Sequence, residues 1–142
     1  MAQPDIPAVN LDYAFTIRLE TSGRVEFEGP MRSRAFEPVS GGEVFGPRLN
    51  GRVVPQSGAD FATNGLTDAH MMLQASDGSW IYMNLVGYEH NVTDDGSAYF
   101  RVAPYFDTPA GPHEWLGKTV FIARGERFHN PSYLLLHVYA LL

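Results

Sequence analysis

Asp77-Gly78 lies between two long strand-like runs, Thr67–Ser76 and Ser79–Val92. A chain with that pattern builds an antiparallel hairpin, and Asp-Gly favours the two-residue type I′ turn. That turn pairs Ser76 with Ser79, Leu73 with Tyr82, Met72 with Met83, His70 with Leu85 and Asp68 with Gly87. Side chains alternate with a period of two. One face then carries Asp68, His70, Met72, Ile81, Met83, Leu85 and Gly87, and the other Ala69, Met71, Leu73, Trp80, Tyr82, Asn84, Val86 and Tyr88. Both faces are mostly apolar, whereas one face of an antiparallel wall normally meets water. The outside therefore needs a cover: the N-terminal arm, the Phe106–Leu116 connection or another copy of the chain.

The remaining punctuation is of the same kind. Gly, Pro and Asp-Gly turns separate short β-rich segments, near Asp12–Glu20, Val25–Glu28, Ser33–Val39, Glu43–Val54, Ala59–Thr63, Ser97–Ala103, Thr119–Arg127 and Tyr133–Leu141. Asp95-Gly96 predicts a second hairpin, with Val92 opposite Tyr99 and His90 opposite Arg101. The fourteen-residue Ser79–Val92 strand is long enough to expect a bulge near Gly87. One short helix, His113–Gly117, follows Pro112. So many strands in one domain, residues 1–142, manage their edges most cheaply by closing. The reading is an all-β, antiparallel barrel of about eight to ten strands.

Composition excludes several functions. A net charge of −6 argues against nucleic acid, which needs a basic face. With no cysteine there is no disulfide, thiol nucleophile or thiolate site. The start, MAQPDIPAVN, has no signal-peptide pattern. The longest apolar run, Tyr133–Leu142, is too short to span a bilayer as a helix. A cytoplasmic protein without membrane contact is the expectation.

A second segment, Ser40–Asp60, packs five glycines, two prolines, two arginines and two acids into twenty-one residues. Read as a strand, Val44–Pro55 sets Arg48, Asn50 and Arg52 on one face. Its motifs are Gly41-Gly42, Gly46-Pro47-Arg48-Leu49, Gly51-x-Val53-x-Pro55 and Gly58-Ala59-Asp60. Ser76-Asp77-Gly78 with Ile81-Tyr82, Phe100-Arg101, Phe106 with Thr108, Trp115-Leu116 and Val120-Phe121 with Gly125 follow in order. As a set they resemble the family called "domain of unknown function 3237". The resemblance implies a small calycin-like antiparallel barrel with a central cavity, and brings no activity or cofactor with it. Members usually carry an arginine in the strand after the Asp60 segment; this chain has His70 there.

His70 and Asp68 share a strand face, and a carboxylate beside a histidine orients its tautomer and raises its basicity. If that face lines the cavity, Met72, Met83 and Leu85 wall the pair, giving the apolar pocket with a few polar groups typical of ligand sites. Arg48 and Asp60 would meet at the mouth, as an ion pair or as a clamp on a substrate carboxylate. Tyr82 and Asn84, with Tyr88, His90 and Arg101, form a polar set on the opposite face. No histidine spacing suggests a metal, no serine sits in a nucleophile elbow, and the glycines lack the context of a phosphate loop. No cofactor is expected.

Three readings follow. The first is an enzyme doing acid–base chemistry, such as isomerisation, elimination, hydration or cyclisation, on a small apolar or aromatic carbonyl compound. His70 is then the general base or acid, Asp68 its orienter, and Arg48 or Tyr82 the oxyanion stabiliser. The second is a binding or carrier barrel, and the third a packed structural module. A homo-oligomer is expected in each.

Overall fold

The computed structural model describes residues 3–91 and 98–142. Its strands are β1 (Leu11–Thr21), β2 (Val25–Glu28), β3 (Ser33–Phe45), β4 (Gly51–Val53), β5 (Gly58–Thr63), β6 (Leu66–Ala75), β7 (Trp80–Asn91), β8 (Ala98–Asp107), β9 (Phe121–Phe128) and β10 (Tyr133–Leu141). One 3-10 turn, Glu114–Lys118, is the sole helical element among the described residues. Hydrogen bonding runs β1-β10-β9-β8-β7-β6-β4-β3, and β3 returns to β1. All pairings are antiparallel, so the sheet closes into a barrel. β5 continues the position of β4 between β3 and β6, and β2 continues that of β1 along β3. No helix among the described residues is long and apolar enough to cross a membrane.

Closure needs close backbone approach, and the glycines of the Ser40–Asp60 segment supply it. A Cβ on Gly58 would stand 1.7 Å from the His70 carbonyl oxygen, and one on Gly42 1.9 Å from that of Arg18. The expected strand Glu43–Val54 does not form. β3 runs on to Phe45, the chain turns tightly, and β4 begins at Gly51. Asn50 ties the turn by donating to the Gly46 carbonyl and accepting from its amide, so Arg48, Asn50 and Arg52 share no strand face.

The Asp77-Gly78 hairpin forms with a different register. Ala75 pairs with Ser79, leaving the three-residue loop Ser76-Asp77-Gly78, and Gly78 takes φ +91°. This is a turn followed by a left-handed residue, the usual three-residue hairpin. One extra loop residue shifts every pair: Met71 faces Met83, Met72 faces Tyr82, Leu73 faces Ile81, His70 faces Asn84 and Asp68 faces Val86. A one-residue slip moves one strand's whole set to the other face. The inner wall is therefore Thr67, Ala69, Met71 and Leu73 with Ile81, Met83, Leu85 and Gly87. Asp68, His70 and Met72 lie outside with Tyr82 and Asn84.

Other boundaries also differ from expectation. β8 runs through Pro104 to Asp107; it pairs with β9 only at Arg101 and Val102, so Pro104 borders a sheet edge, where a proline is tolerated. His90 faces Tyr99, not Arg101. β7 carries no bulge at Gly87; the register shifts fall at Tyr13/Phe15 and Glu20/Thr21 of β1. The Asp95-Gly96 turn and the Val92–Tyr99 pair lie outside the described residues.

One end of the barrel is plugged. Phe15, Phe106 and Phe121 meet there with ring centroids 5.2–6.4 Å apart, joined by Trp115 at 5.6 Å from Phe121. Leu49 and Leu116 are buried beside them. The connection after β8 thus caps the end and leaves the outer wall bare. The hairpin tip holds it: His113 Nε2 lies 2.9 Å from Asp77 Oδ2. The Ser79 amide, then its hydroxyl and His113, keep the Asp77 carboxyl below the usual carboxylate range.

Nearer the other end, Phe100 fills the interior over Gly125. A Cβ at Gly125 would approach the Phe100 ring to 2.6 Å. We expect Gly125→Ala to destabilise the fold by roughly 1–3 kcal/mol through overpacking. Phe100→Leu in the same chain should recover part of that loss in urea denaturation.

Candidate functional site

The inward series of three strands each carry a charge toward the unplugged end. β3 reads Ala35, Glu37, Val39 inward; β7 reads Leu85, Gly87, Glu89; β9 reads Ala123, Gly125, Arg127. Glu37 is 3% exposed. A carboxylate that buried needs a paired, hydrogen-bonding cation. Arg127 provides it: Nη1 donates to both Glu37 oxygens at 3.1 and 2.9 Å. Its Nε and Nη2 donate to the two oxygens of Glu89 at 2.9 and 3.0 Å. The fork is thus shared between β3 and β7. Burial opposes the Arg127 charge, but the hydrogen bonds and charges of Glu89 and Glu37 outweigh it and hold the guanidinium protonated more firmly than usual. Arg24, between β1 and β2, lies 3.6 Å from Glu37 and donates to Glu26 at 3.1 Å.

Asp60 faces Glu37 directly across the β3–β5 ladder and Ala69 across β5–β6, so it too points inward. Its Oδ1 accepts from the Asp68 amide at 3.0 Å. Burial pushes its carboxyl above the usual range and Glu37 adds to the rise; the Asp68 amide, Arg24 and Arg127 pull against both, and the net direction is upward. The buried Thr67 stands beside Asp60.

Below these groups the interior narrows to a cavity of about 20 Å³, walled by Leu19, Val39, Met71, Leu85 and Phe100. That is room for about one water. Above them are open recesses of about 420 Å³, bordered by Arg24, Phe27, Asn64, Thr67 and Glu89, and about 590 Å³, bordered by Glu37, Glu89, His90, Arg127 and His129. Small-molecule clefts span about 300–1,000 Å³. A ligand of ordinary size fits at the mouth and not inside the barrel.

Of the residues expected to form a site, Asp60 and Leu85 line the small interior cavity, and neither borders the open recesses above it. Met83 points inward and is packed in the core. Asp68 and His70 are neighbours, with Nε2 3.4 Å from Oδ1, but they stand on the exposed outer face. His70 Nδ1 is hydrogen-bonded to the Tyr82 hydroxyl, and Asn84 Nδ2 lies 3.2 Å from Nε2. Met72 is also on the outer face, half-buried. The expected interior pocket of His70, Asp68 and Met72 is thus corrected by the hairpin register. Arg48 does not meet Asp60: it sits in the turn between β3 and β4, with its guanidinium 3.9 Å above the Trp115 ring at the plugged end. Among the described residues no group of three or more His, Asp or Glu side chains could hold a metal. Glu37, Glu89 and Arg127 were not anticipated. The available signal was one charge within each inward apolar series, all toward the same barrel end.

Residues 9–141 match the model of the family described as "Protein of unknown function (DUF3237)". The chain is 30% identical to a UPF0311 protein of Bradyrhizobium diazoefficiens, over 92% of this chain and 97% of that one. A "beta-barrel like protein" from Acinetobacter baumannii shares the fold with a TM-score of 0.85 at 22% identity, covering 99% of this chain and all of that one. The chain is also 26% identical to the "Hydroalkoxylation enzyme phnH" of Penicillium herquei, over 75% of this chain and 68% of that protein.

Proposed function

The chain belongs to the DUF3237 family, and from that premise we propose that its barrel is a proton-transfer enzyme working at the open mouth. Its reaction class is addition of a hydroxyl across a carbon–carbon double bond, or the reverse. The observation that carries this reading is Asp60, a half-buried carboxyl raised by burial, opposite the buried Glu37 and in one small cavity with Glu37 and Thr67, which also border the open recesses. A carboxyl raised by burial suits a general acid. The name of the Penicillium herquei relative supports the reaction class, since hydroalkoxylation consumes no electrons and needs only proton movement.

In this reading protonated Asp60 gives its proton to one alkene carbon. The substrate hydroxyl oxygen bonds to the other carbon, and its proton returns to Asp60. One C–H and one C–O bond form; one O–H and one π bond are lost. Burial, with the Glu37 charge adding to it, raises the Asp60 carboxyl, and Arg127, gripped on both sides, keeps Glu37 in place. The narrow interior argues against a carrier that swallows its ligand.

The test is incubation in D₂O with ortho-allylphenols, whose hydroxyl and alkene can close a ring, followed by mass spectrometry. The expected product is a cyclic ether with one deuterium on the new C–H, formed by the wild type and lost in Asp60→Asn. Conversion that survives Asp60→Asn would remove Asp60 from the chemistry. A small molecule recovered unreacted from protein purified from its own host would favour a carrier.

A further inference from the structure

β8 and β9 share the shortest ladder of the closed sheet. Among the described residues they pair only at Arg101–Arg124 and Val102–Ala123. Toward the open end the same register would set Phe100 opposite Gly125 and Tyr99 opposite Glu126, but the strands part there. The gap is a recess of about 450 Å³, bordered by Phe100, Arg101, Arg124, Gly125, Phe128 and His129. Two cations at this seam stand without an anion. Arg101 and Arg124 face each other directly and both point to the outer side. Like charges directly opposite across a strand pair are destabilising. No carboxylate among the described residues lies within ion-pair distance of either. The two acids that border the recess are engaged elsewhere, Glu89 by Arg127 and Glu126 by His137.

We propose that this seam binds the carboxylate of a small organic acid between Arg101 and Arg124. Opposed residues have Cβ atoms about 4.5–5.5 Å apart, so two guanidinium forks can close on one oxyanion. Arg101 is already held in place: Nη1 donates to the Phe100 carbonyl at 3.0 Å, and the guanidinium carbon lies 4.9 Å from the Tyr99 ring centroid. The bound carboxylate would turn a repulsive cross-strand pair into charge-assisted hydrogen bonds. Two features choose the rest of the ligand. Glu89 and Glu126 at the border disfavour a doubly charged phosphate, since like charges set together cost affinity. The walls offer the Phe100 ring, packed against Gly125, and the Phe128 ring, stacked on Tyr133 with centroids 4.7 Å apart. Apolar walls with a few polar groups take a ligand with a hydrocarbon body. The site is separate from Asp60 and stands whether or not the mouth carries out the reaction assigned to it.

Benzoate is the probe. Titrated into the isotope-labelled protein, it should move the backbone amide signals of Arg101, Arg124 and Gly125. It should also raise Tm, as any ligand of the native state does. Arg101→Gln and Arg124→Gln should each weaken binding about tenfold or more, the usual cost of losing a hydrogen bond to a charged group. Without benzoate, Arg124→Gln should melt no lower than the wild type, because it removes one of two like charges; a purely structural arginine would not behave so. Arg52→Gln, an exposed change on β4, should leave binding unaltered. Benzyl alcohol, the same ring without the charge, should not bind, and inorganic phosphate should bind about tenfold more weakly than benzoate. A wild type that ignores benzoate, binding that survives both arginine substitutions, an Arg124→Gln protein of lower Tm, or benzyl alcohol or phosphate matching benzoate would each overturn the proposal.

Discussion

Arg127→Met should cost about 3–5 kcal/mol of stability at neutral pH, as expected when one partner of a buried ion pair is removed. The loss does not come from the arginine's own packing. Glu37, 3% exposed, would lose its Nη1 bonds and keep only the distant Arg24 at 3.6 Å. Glu89 would lose a bidentate fork. Two desolvated carboxylates would then face each other and Asp60 across a narrow mouth. Protonation relieves them, so the deficit should shrink as the pH is lowered toward the carboxylate range. Glu37→Gln and Glu89→Gln in the Arg127→Met background should restore most of the stability at neutral pH, since no unpaired charge remains. Arg127→Lys should recover only part, because a single ammonium lacks the fork that spans both strands. Urea denaturation of this series at two pH values checks each step. An Arg127→Met protein as stable as wild type would mean that the mouth carboxylates are already satisfied by water.

The fold was largely legible because barrels announce themselves by turn chemistry. Short β runs, Gly and Pro breaks and an Asp-Gly hairpin imposed antiparallel strands, and the number of strands imposed closure. The glycines of Ser40–Asp60 carried the family resemblance, and the structure uses them for close backbone approach. What failed was local. Whether an Asp-Gly hairpin uses two or three loop residues depends on which residue takes the left-handed conformation. Ser76-Asp77-Gly78 permits both, and the choice moved His70 from inside to outside. Asn50, which pins the turn at Gly46, likewise turned an apparent strand into a loop and carried Arg48 to the opposite end from Asp60. Glu37, Glu89 and Arg127 are separated by 52 and 38 residues in the sequence numbering. Their convergence is a product of closure, and a single-strand pattern shows each only as an unexplained charge on an apolar face. Asp60 was found because its segment was conspicuous, and Arg48 was misjudged as its partner because the turn at Asn50 read as strand.

Asp60→Asn should separate function from stability. The side chain keeps its shape and can still accept from the Asp68 amide, but it no longer holds a transferable proton. Loss of a general acid typically costs about 10²–10⁴ in rate, and turnover should fall by that amount. The fold should respond in the opposite direction. Burial raises the folded-state pKa of Asp60 above its ordinary 3.8. A group so shifted favours folding below its unfolded pKa, and that contribution is lost as pH rises through the folded value. At neutral pH the native protein therefore bears the cost of either a poorly solvated charge opposite Glu37 or the uptake of a proton, and Asn removes that cost. We expect a gain of roughly 1 kcal/mol at pH 7, seen as about 2–4 °C in Tm for a chain of this size. Near and below pH 4, where Asp60 is protonated in both states, the gain should vanish. A carboxylate kept only to anchor the Asp68 amide and the mouth arginines would behave otherwise, because its loss would lower Tm at neutral pH. Calorimetry of the two proteins across that pH range, beside the D₂O turnover assay, distinguishes the two roles for one side chain. A stabilised, inactive variant is the pattern of a site held in strain for its chemistry.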